Sequence, residues 1–90
     1  MFVSYKGLKI HATISASREL FKESKTLFDV LEILELGEAA PRKRRKGTVE
    51  KWLSKGNKTY SAVVIRGYNK TLGEEDWVLV HFGKFTRKKK

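Results

Sequence analysis

The sequence predicts an α+β domain in which two helices pack on one face of a mostly antiparallel sheet, in the order β-α-α-β-β-β. Three observations predict this class. Apolar and polar residues alternate over residues 8–14, and an apolar stripe at helical spacing runs through residues 27–34. Three stretches rich in β-branched and aromatic residues follow the sole proline, Pro41. The second face of such a sheet is left for solvent or for a ligand.

The first elements are two strands and a short helix. Residues 1–5 are apolar enough to form a short edge strand, and the alternation over residues 8–14 predicts a half-buried strand. This alternation places His11 on the polar face, and we interpret it as a surface histidine. Ser15 is the expected N-cap of a helix that extends to about residue 24.

The second helix carries the clearest start and stop signals in the chain. Thr26 and Asp29 have the spacing of a capping box, and Gly37 is suited to end a helix. The apolar residues of this segment recur on one face, which predicts a helix that covers the core: they are Leu27, Val30, Leu31 and Leu34.

The second half of the chain predicts a sheet. Residues 48–53 and 59–66 form a hairpin around a glycine-containing turn, and residues 75–82 are apolar on both faces, as is typical of a central strand. We expect one domain over residues 1–86 and a basic, solvated tail over residues 87–90.

Composition excludes several classes of function. The 90 residues suffice for one small core, and the absence of cysteine excludes disulfides and zinc-thiolate sites. There is no apolar run of about 20 residues and no signal-peptide pattern at the N-terminus, so we expect a cytoplasmic protein without a membrane partner. The spacing of polar residues predicts no metal site and no cofactor.

The net charge of +10 is unevenly distributed. Residues 1–40 contain five Lys or Arg against six Asp or Glu, whereas residues 41–90 contain fifteen against four. Such an excess repels itself unless it meets a polyanion, so RNA, the ribosome or an acidic protein is the expected partner. A merely lysine-rich surface is the alternative.

Basic residues interleaved with aromatic ones are typical of surfaces that bind single-stranded nucleic acid, because cations contact phosphates and rings stack on bases. Aromatic residues of strands also lie in cores, and that alternative stays open for both tryptophans. The candidate nucleic-acid-binding residues are Arg42, Lys43, Arg44, Arg45, Lys46, Trp52, Tyr60, Trp77 and Arg87.

Metal-free RNA cleavage requires a base for the 2′-hydroxyl, a cation for the phosphorane and an acid for the leaving oxygen. Glu50 or His81 could supply the acid or base. The cationic candidates are Arg45, Lys46, Lys84 and Arg87.

The orientation of His81 decides between two interpretations. If Val78, Val80 and Phe82 face the helices, then strict alternation places Trp77, Leu79 and His81 on the open side; the opposite alternation buries His81 in the core. Only the first arrangement places an imidazole beside the basic segment.

Several of these features together resemble the RelE-like toxin superfamily, and in particular its small BrnT-like members. They are the helix opened by Ile14 and Ser15, the stretch Asp29 to Glu32 in a helix ending at Gly37, and the basic segment followed by a strand with Glu50. The resemblance covers residues 8–86. It implies an RNA- or ribosome-binding toxin that cuts mRNA and is silenced by an antitoxin.

The resemblance implies site residues around Arg45 and Lys46, at Glu50, and at His81 and Lys84. Many such domains carry a histidine near the start of the first helix, where this chain has Ser17. Three hypotheses therefore remain: an mRNA endoribonuclease, a non-catalytic RNA-binding or ribosome-associated module, and a domain that docks an acidic, antitoxin-like protein.

Overall fold

The computed structural model describes residues 3–40, 46–71 and 73–86. Within them lie two helices and six strands, which confirms the α+β class. The order along the chain is β-β-α-α-β-β-β-β and not the predicted β-α-α-β-β-β, because a strand pair precedes α1 and a short extra strand follows α2. The elements are β1 (Ser4–Tyr5), β2 (Leu8–Ala12), α1 (Ile14–Lys22), α2 (Leu27–Leu36), β3 (Glu38–Ala39), β4 (Thr48–Lys55), β5 (Lys58–Asn69) and β6 (Glu74–Phe85).

The six strands form one mixed sheet in the order β1-β2-β6-β5-β4-β3. β2 and β6 are parallel, and the other neighbouring strands are antiparallel. Parallel neighbours need a long crossover connection, which the helices and the hairpins supply here. The chain thus brings residues of its first fifth beside residues of its last fifth.

Both helices cover the same face of the sheet, and the main hydrophobic core lies between the helices and this face. Ala16 and Leu20 of α1 and Val30, Ile33 and Leu34 of α2 are buried there against the strands. The strands contribute Ile10, Ala62, Val64, Trp77, Leu79 and Phe82. The opposite face, which we call the open face, carries no helix among the described residues.

The helix ends confirm one prediction and correct another. Thr26 and Asp29 form the predicted capping box: the Asp29 carboxylate accepts from the Thr26 N–H at 2.8 Å. The N-cap of α1 is Thr13, whose Oγ1 accepts from Ala16 N at 3.1 Å, and not Ser15. Because Thr13 caps the helix, the preceding strand ends at Ala12.

Gly37 ends α2 as predicted, but the reason is close approach rather than a left-handed backbone. Its φ is −74°, which other residues also adopt. A Cβ at this position would lie 2.8 Å from the backbone oxygen of Trp52 and against the carbonyl oxygen of Ile33. Glycine therefore allows the end of α2 to pack directly on β4.

Two strands differ from the prediction. The short β3, expected to be part of a connection, pairs with β4 through Glu38 and Ala39. Residues 83–85, whose place in the last strand was left open, continue β6 to Phe85 and pair with β5. β6 also contains a register shift, since Val63 and Val64 are opposite His81 and Leu79 and leave Val80 as the extra residue.

Candidate nucleic-acid interface

A row of three residues crosses the middle of the open face. Glu50 of β4 is opposite Val63 of β5, which is opposite His81 of β6. Val63 is buried but does not belong to the core under the helices. The row therefore brings two of the predicted site residues, Glu50 and His81, to the same face on strands separated by one intervening strand.

The extra residue in β6 is what turns His81 to the open face. Trp77 and Leu79 pack in the core on one side of the extra residue Val80, and Phe82 packs in the same core on the other side. Neither of the two strict alternations considered for this strand is correct. The bulge shifts the alternation by one residue, so His81 is on the open face with a side chain that is 55% exposed.

Glu50 lies beneath an indole. The residue is 7% exposed, and Trp52 Nε1 donates a hydrogen bond of 3.0 Å to its Oε2. Residues two apart on a strand share a face, which accounts for the contact. A carboxylate held in this way stabilises the position of Trp52 and presents little surface to a substrate.

Trp52 forms an aromatic pair with Phe85 across the open face. The two ring centroids are 5.0 Å apart and the rings are nearly perpendicular. The strand between them contributes Thr59 and Ser61, which are buried, and Gly83 adds no side chain. Small residues thus leave room for two large rings, and Phe85 remains 36% exposed at the end of β6.

His81 contacts a carboxylate of α1 at the edge of β6. Its Nδ1 is 3.5 Å from Glu19 Oε1, and the same oxygen accepts from the backbone N–H of Phe82 at 3.2 Å. Glu19 therefore accepts a hydrogen bond from a backbone N–H at the edge of β6 and lies beside the His81 imidazole.

Lys84 does not join this row. It belongs to the helix-covered face, where its Nζ is 2.6 Å from Glu23 Oε1. The hydrogen bond to Glu23 raises the pKa of the Lys84 ammonium above its ordinary value. This lysine therefore pairs with α1, on the face of the sheet opposite Glu50 and His81.

Two predicted stacking residues also belong to the helix-covered face. Trp77 is 5% exposed and its Nε1 donates to the Tyr5 carbonyl oxygen at 3.1 Å. Tyr60 is half-buried, stacks on Phe82 at 6.1 Å and has Lys25 Nζ 4.8 Å from its ring centroid. Both rings have partners within the protein that occupy the positions a base would need.

Several predicted cationic residues lie outside the described residues. These are Arg42, Lys43, Arg44, Arg45 and Arg87, together with the rest of the tail over residues 87–90. Lys46 is described and exposed. Eight of the 20 Lys and Arg residues lie in residues 41–45 and 87–90, whereas all ten Asp and Glu residues lie in the described ranges.

The two basic segments, residues 41–45 and residues 87–90, each follow a described residue that lies beside residues of the open face. Residues 41–45 follow Ala40, whose N–H donates to the Glu50 carbonyl oxygen at 3.1 Å. Residues 87–90 follow Thr86, the neighbour of Phe85. The points of attachment therefore border Glu50 at one end and the Trp52–Phe85 pair at the other.

The sequence interpretation missed a second histidine contact on this face. His11 Nε2 lies 3.5 Å from Asp76 Oδ2, and the Asp76 side chain is only 9% exposed. The two residues meet because β2 and β6 are parallel and His11 is opposite Val78. No local pattern in either segment could indicate this long-range pairing.

No helix in the described part of the chain combines the length and apolar character needed to cross a membrane. The chain matches no protein-family model, no curated protein and no solved structure.

Proposed function

We propose that this protein is a RelE-like, toxin-type RNA-binding protein that binds single-stranded RNA on the open face of its sheet. The observation that carries the proposal is the position of Trp52, Phe85 and His81 on that face, between the attachment points of two basic segments. RNA recognition requires both a π surface and cations, and the chain supplies both in one region.

The distribution of charge along the chain supports a polyanion such as RNA as the ligand. The described residues contain twelve Lys or Arg against ten Asp or Glu, and many of these form pairs such as Lys84 with Glu23. Most of the net charge of +10 is therefore in residues 41–45 and 87–90. Segments of this composition bind phosphates with an affinity that depends on salt.

A binding measurement with matched variants tests the proposal. Replacing Arg42, Lys43, Arg44 and Arg45 with Gln should reduce the slope of log affinity against log salt for a single-stranded RNA by roughly 3, at about 0.7 per phosphate contact. The control removes four charges outside the two basic segments, at Lys6, Arg18, Lys22 and Lys25, and should leave most of the slope. Equal losses in the two variants would indicate a non-specific charge effect and contradict the proposal.

The aromatic contribution has its own control. Phe85→Ala on the open face should lower RNA affinity by about tenfold or more, since one stacked base is worth roughly 1–3 kcal/mol. Phe21→Ala removes a ring of α1 that is 86% exposed and should leave RNA affinity unchanged. A protein without measurable RNA affinity at low salt would contradict the proposal and favour the acidic-protein alternative.

The exposed imidazole of His81 favours cleavage as a second candidate function. An endoribonuclease should cut unstructured or ribosome-bound RNA without added metal, whereas a non-catalytic module should bind RNA and leave it intact. The experiment is incubation of labelled RNA with the wild-type protein and with His81→Ala. Cleavage that is equal in both proteins would count against a role for His81.

A further inference from the structure

We propose that His11, positioned by Asp76, is a second catalytic histidine of the open face and acts with His81 in RNA cleavage by internal transesterification. This inference rests on the proposed function, since it concerns the chemistry performed on RNA at the same face. It assigns the base to His11 instead of Glu50, which is buried and bound by the Trp52 indole.

The Asp76 carboxylate is buried without a full set of hydrogen bonds. The residue is 6% exposed, and its Oδ1 has no hydrogen-bond partner among the described residues. A buried carboxylate oxygen without a donor costs stability and is uncommon in folded proteins, so it calls for a functional explanation. Its other oxygen, Oδ2, is the atom that lies 3.5 Å from His11 Nε2.

The chain keeps space open for the Asp76 carboxylate at Gly67. Gly67 of β5 is opposite Asp76, and a Cβ at Gly67 would lie 2.9 Å from Asp76 Oδ1 and 3.0 Å from Val78 Cγ2. A glycine at this position therefore lets the carboxylate lie against β5 while it contacts His11. The pair is built by three strands rather than by a mobile surface contact.

The contact with Asp76 orients the His11 imidazole. In the tautomer that has its proton on Nε2, facing Asp76, the other ring nitrogen of His11, Nδ1, is the basic one. The His11 side chain is 38% exposed, so a substrate can approach it. A carboxylate behind a histidine is the usual means of fixing the tautomer of a general base. Asp76 is thus a positioning residue, and His11 is the group that would contact the substrate.

The two histidines lie on adjacent strands of the same face. His11 is opposite Val78 on β6, and His81 follows on the same strand after the bulge, on the same face. Adjacent strands are about 4.8 Å apart and residues rise about 3.3 Å along a strand, so the two Cα atoms are separated by on the order of 10 Å. Both side chains extend from the same face, so a phosphodiester bound between the two strand positions can reach both imidazoles.

The reaction balances without an added co-reactant. The 2′-oxygen attacks phosphorus as its proton moves to His11 Nδ1, and the bond between phosphorus and the 5′-oxygen breaks as that oxygen takes a proton from the protonated His81. The products are a 2′,3′-cyclic phosphate and a 5′-hydroxyl.

The test measures single-turnover cleavage and RNA affinity in the same preparations. His11→Ala and His81→Ala should each lower the cleavage rate by roughly 10²–10⁴-fold, the usual contribution of a general acid or base, a loss much larger than any accompanying loss of RNA affinity. An RNA with 2′-deoxyribose at the cleaved position should not be cut. Cleavage of that substrate, or wild-type rates in His11→Ala, would overturn the inference.

A second substrate distinguishes the base from the acid. Sulfur in place of the bridging 5′-oxygen gives a leaving group that needs no proton, so this substrate should restore the rate of His81→Ala and not that of His11→Ala. Added imidazole should restore part of the rate of His11→Ala, which loss of structure would not allow. Restoration of both variants by the sulfur substrate would remove the base role from His11.

Asp76 has a matched control on the same strand. Glu74 contacts Lys9 at 3.1 Å in the same diagonal relation that Asp76 has to His11. Asp76→Asn should lower the maximal cleavage rate by roughly tenfold or more with KM unchanged, whereas Glu74→Gln should leave both constants unchanged. Equal effects of the two substitutions would overturn the positioning role.

The outcomes separate this inference from the proposed function. RNA binding by a wild-type protein that does not cut RNA would overturn the inference and leave the RNA-binding proposal in place. A protein that neither binds nor cuts RNA would overturn both.

Discussion

The two faces of the sheet contain the same kinds of side chain. They differ in how fully the polar groups of these side chains are bound within the protein. On the covered face, Trp77 donates to a backbone oxygen and Lys84 contacts Glu23, so each polar group is bound within the fold. On the open face, His81 and His11 are partly exposed, and Asp76 keeps one oxygen to which none of the described residues donates.

This difference shows how residues that stabilise the fold can be told from residues of a candidate site in a strongly charged chain. Residue type does not, since tryptophan, lysine and glutamate occur on both faces. The criterion is whether a partly exposed residue keeps a polar atom that no other described residue binds. His11 and His81 meet that criterion, and Lys84 and Trp77 do not.

The largest expected contrast between the faces is in stability. Phe82 is 1% exposed under the helices, and Phe82→Ala should reduce the free energy of unfolding by about 3–5 kcal/mol. Phe85, three residues later on the open face, is 36% exposed, and Phe85→Ala should cost about 0.5–1.5 kcal/mol through loss of the contact with Trp52.

Chemical denaturation followed by tryptophan fluorescence measures both values. If Phe82→Ala prevents folding, Phe82→Leu should still give a larger loss than Phe85→Leu. A loss at Phe85 equal to that at Phe82 would mean that the open face carries a core of its own.

The local part of the fold could be predicted from the sequence, and the long-range part could not. Thr26, Asp29 and Gly37 signal the bounds of α2 within twelve residues, and β-branched residues around a glycine turn signal the hairpin of β4 and β5. β3 has only two residues, too few for any periodicity. Its pairing with β4 depends on how closely the end of α2 approaches β4.

The candidate site depends on two long-range features. The bulge at Val80 turns His81 to the open face, and the sequence of β6 gives no sign of it because residues 77–82 are almost uniformly apolar. The contact between His11 and Asp76 requires parallel pairing of β2 with β6. Alternation along a single strand carries information about neither feature, so His11 was interpreted as an ordinary surface histidine.

An intermediate effect is expected where each face loses one indole donor. Trp52→Phe removes the hydrogen bond to the buried Glu50, and Trp77→Phe removes the bond to the Tyr5 carbonyl oxygen. Each substitution keeps a ring in place and should cost about 1–3 kcal/mol, because a buried acceptor loses its donor. Denaturation midpoints measure the cost.

The two substitutions should differ in RNA affinity. Trp52→Phe alters the ring that packs against Phe85 on the open face and should change the affinity for single-stranded RNA, whereas Trp77→Phe should leave it unchanged. An effect of Trp77→Phe on RNA affinity as large as that of Trp52→Phe would contradict the assignment of the open face as the interface.

The smallest expected effect concerns the exposed ion pairs that join the helices to the sheet. Hydrogen bonds to Glu32 and Glu23 raise the pKa values of Lys55 and Lys84 above the ordinary value of 10.5. Because the folded state holds these protons more tightly than the unfolded state, the pairs contribute their full stability below pH 10.5. That contribution is lost as the pH rises through the higher pKa values of the folded state.

The denaturation midpoint of the wild-type protein should therefore fall more between pH 9 and pH 12 than that of a Lys55→Met, Lys84→Met double variant. Both lysines are exposed, so the difference should be small and should decrease further in high salt. The pairs serve the covered face, so the double variant should retain the RNA affinity and cleavage rate of the wild type at neutral pH. A loss of cleavage in this variant would return Lys84 to the catalytic set and contradict the division between the two faces.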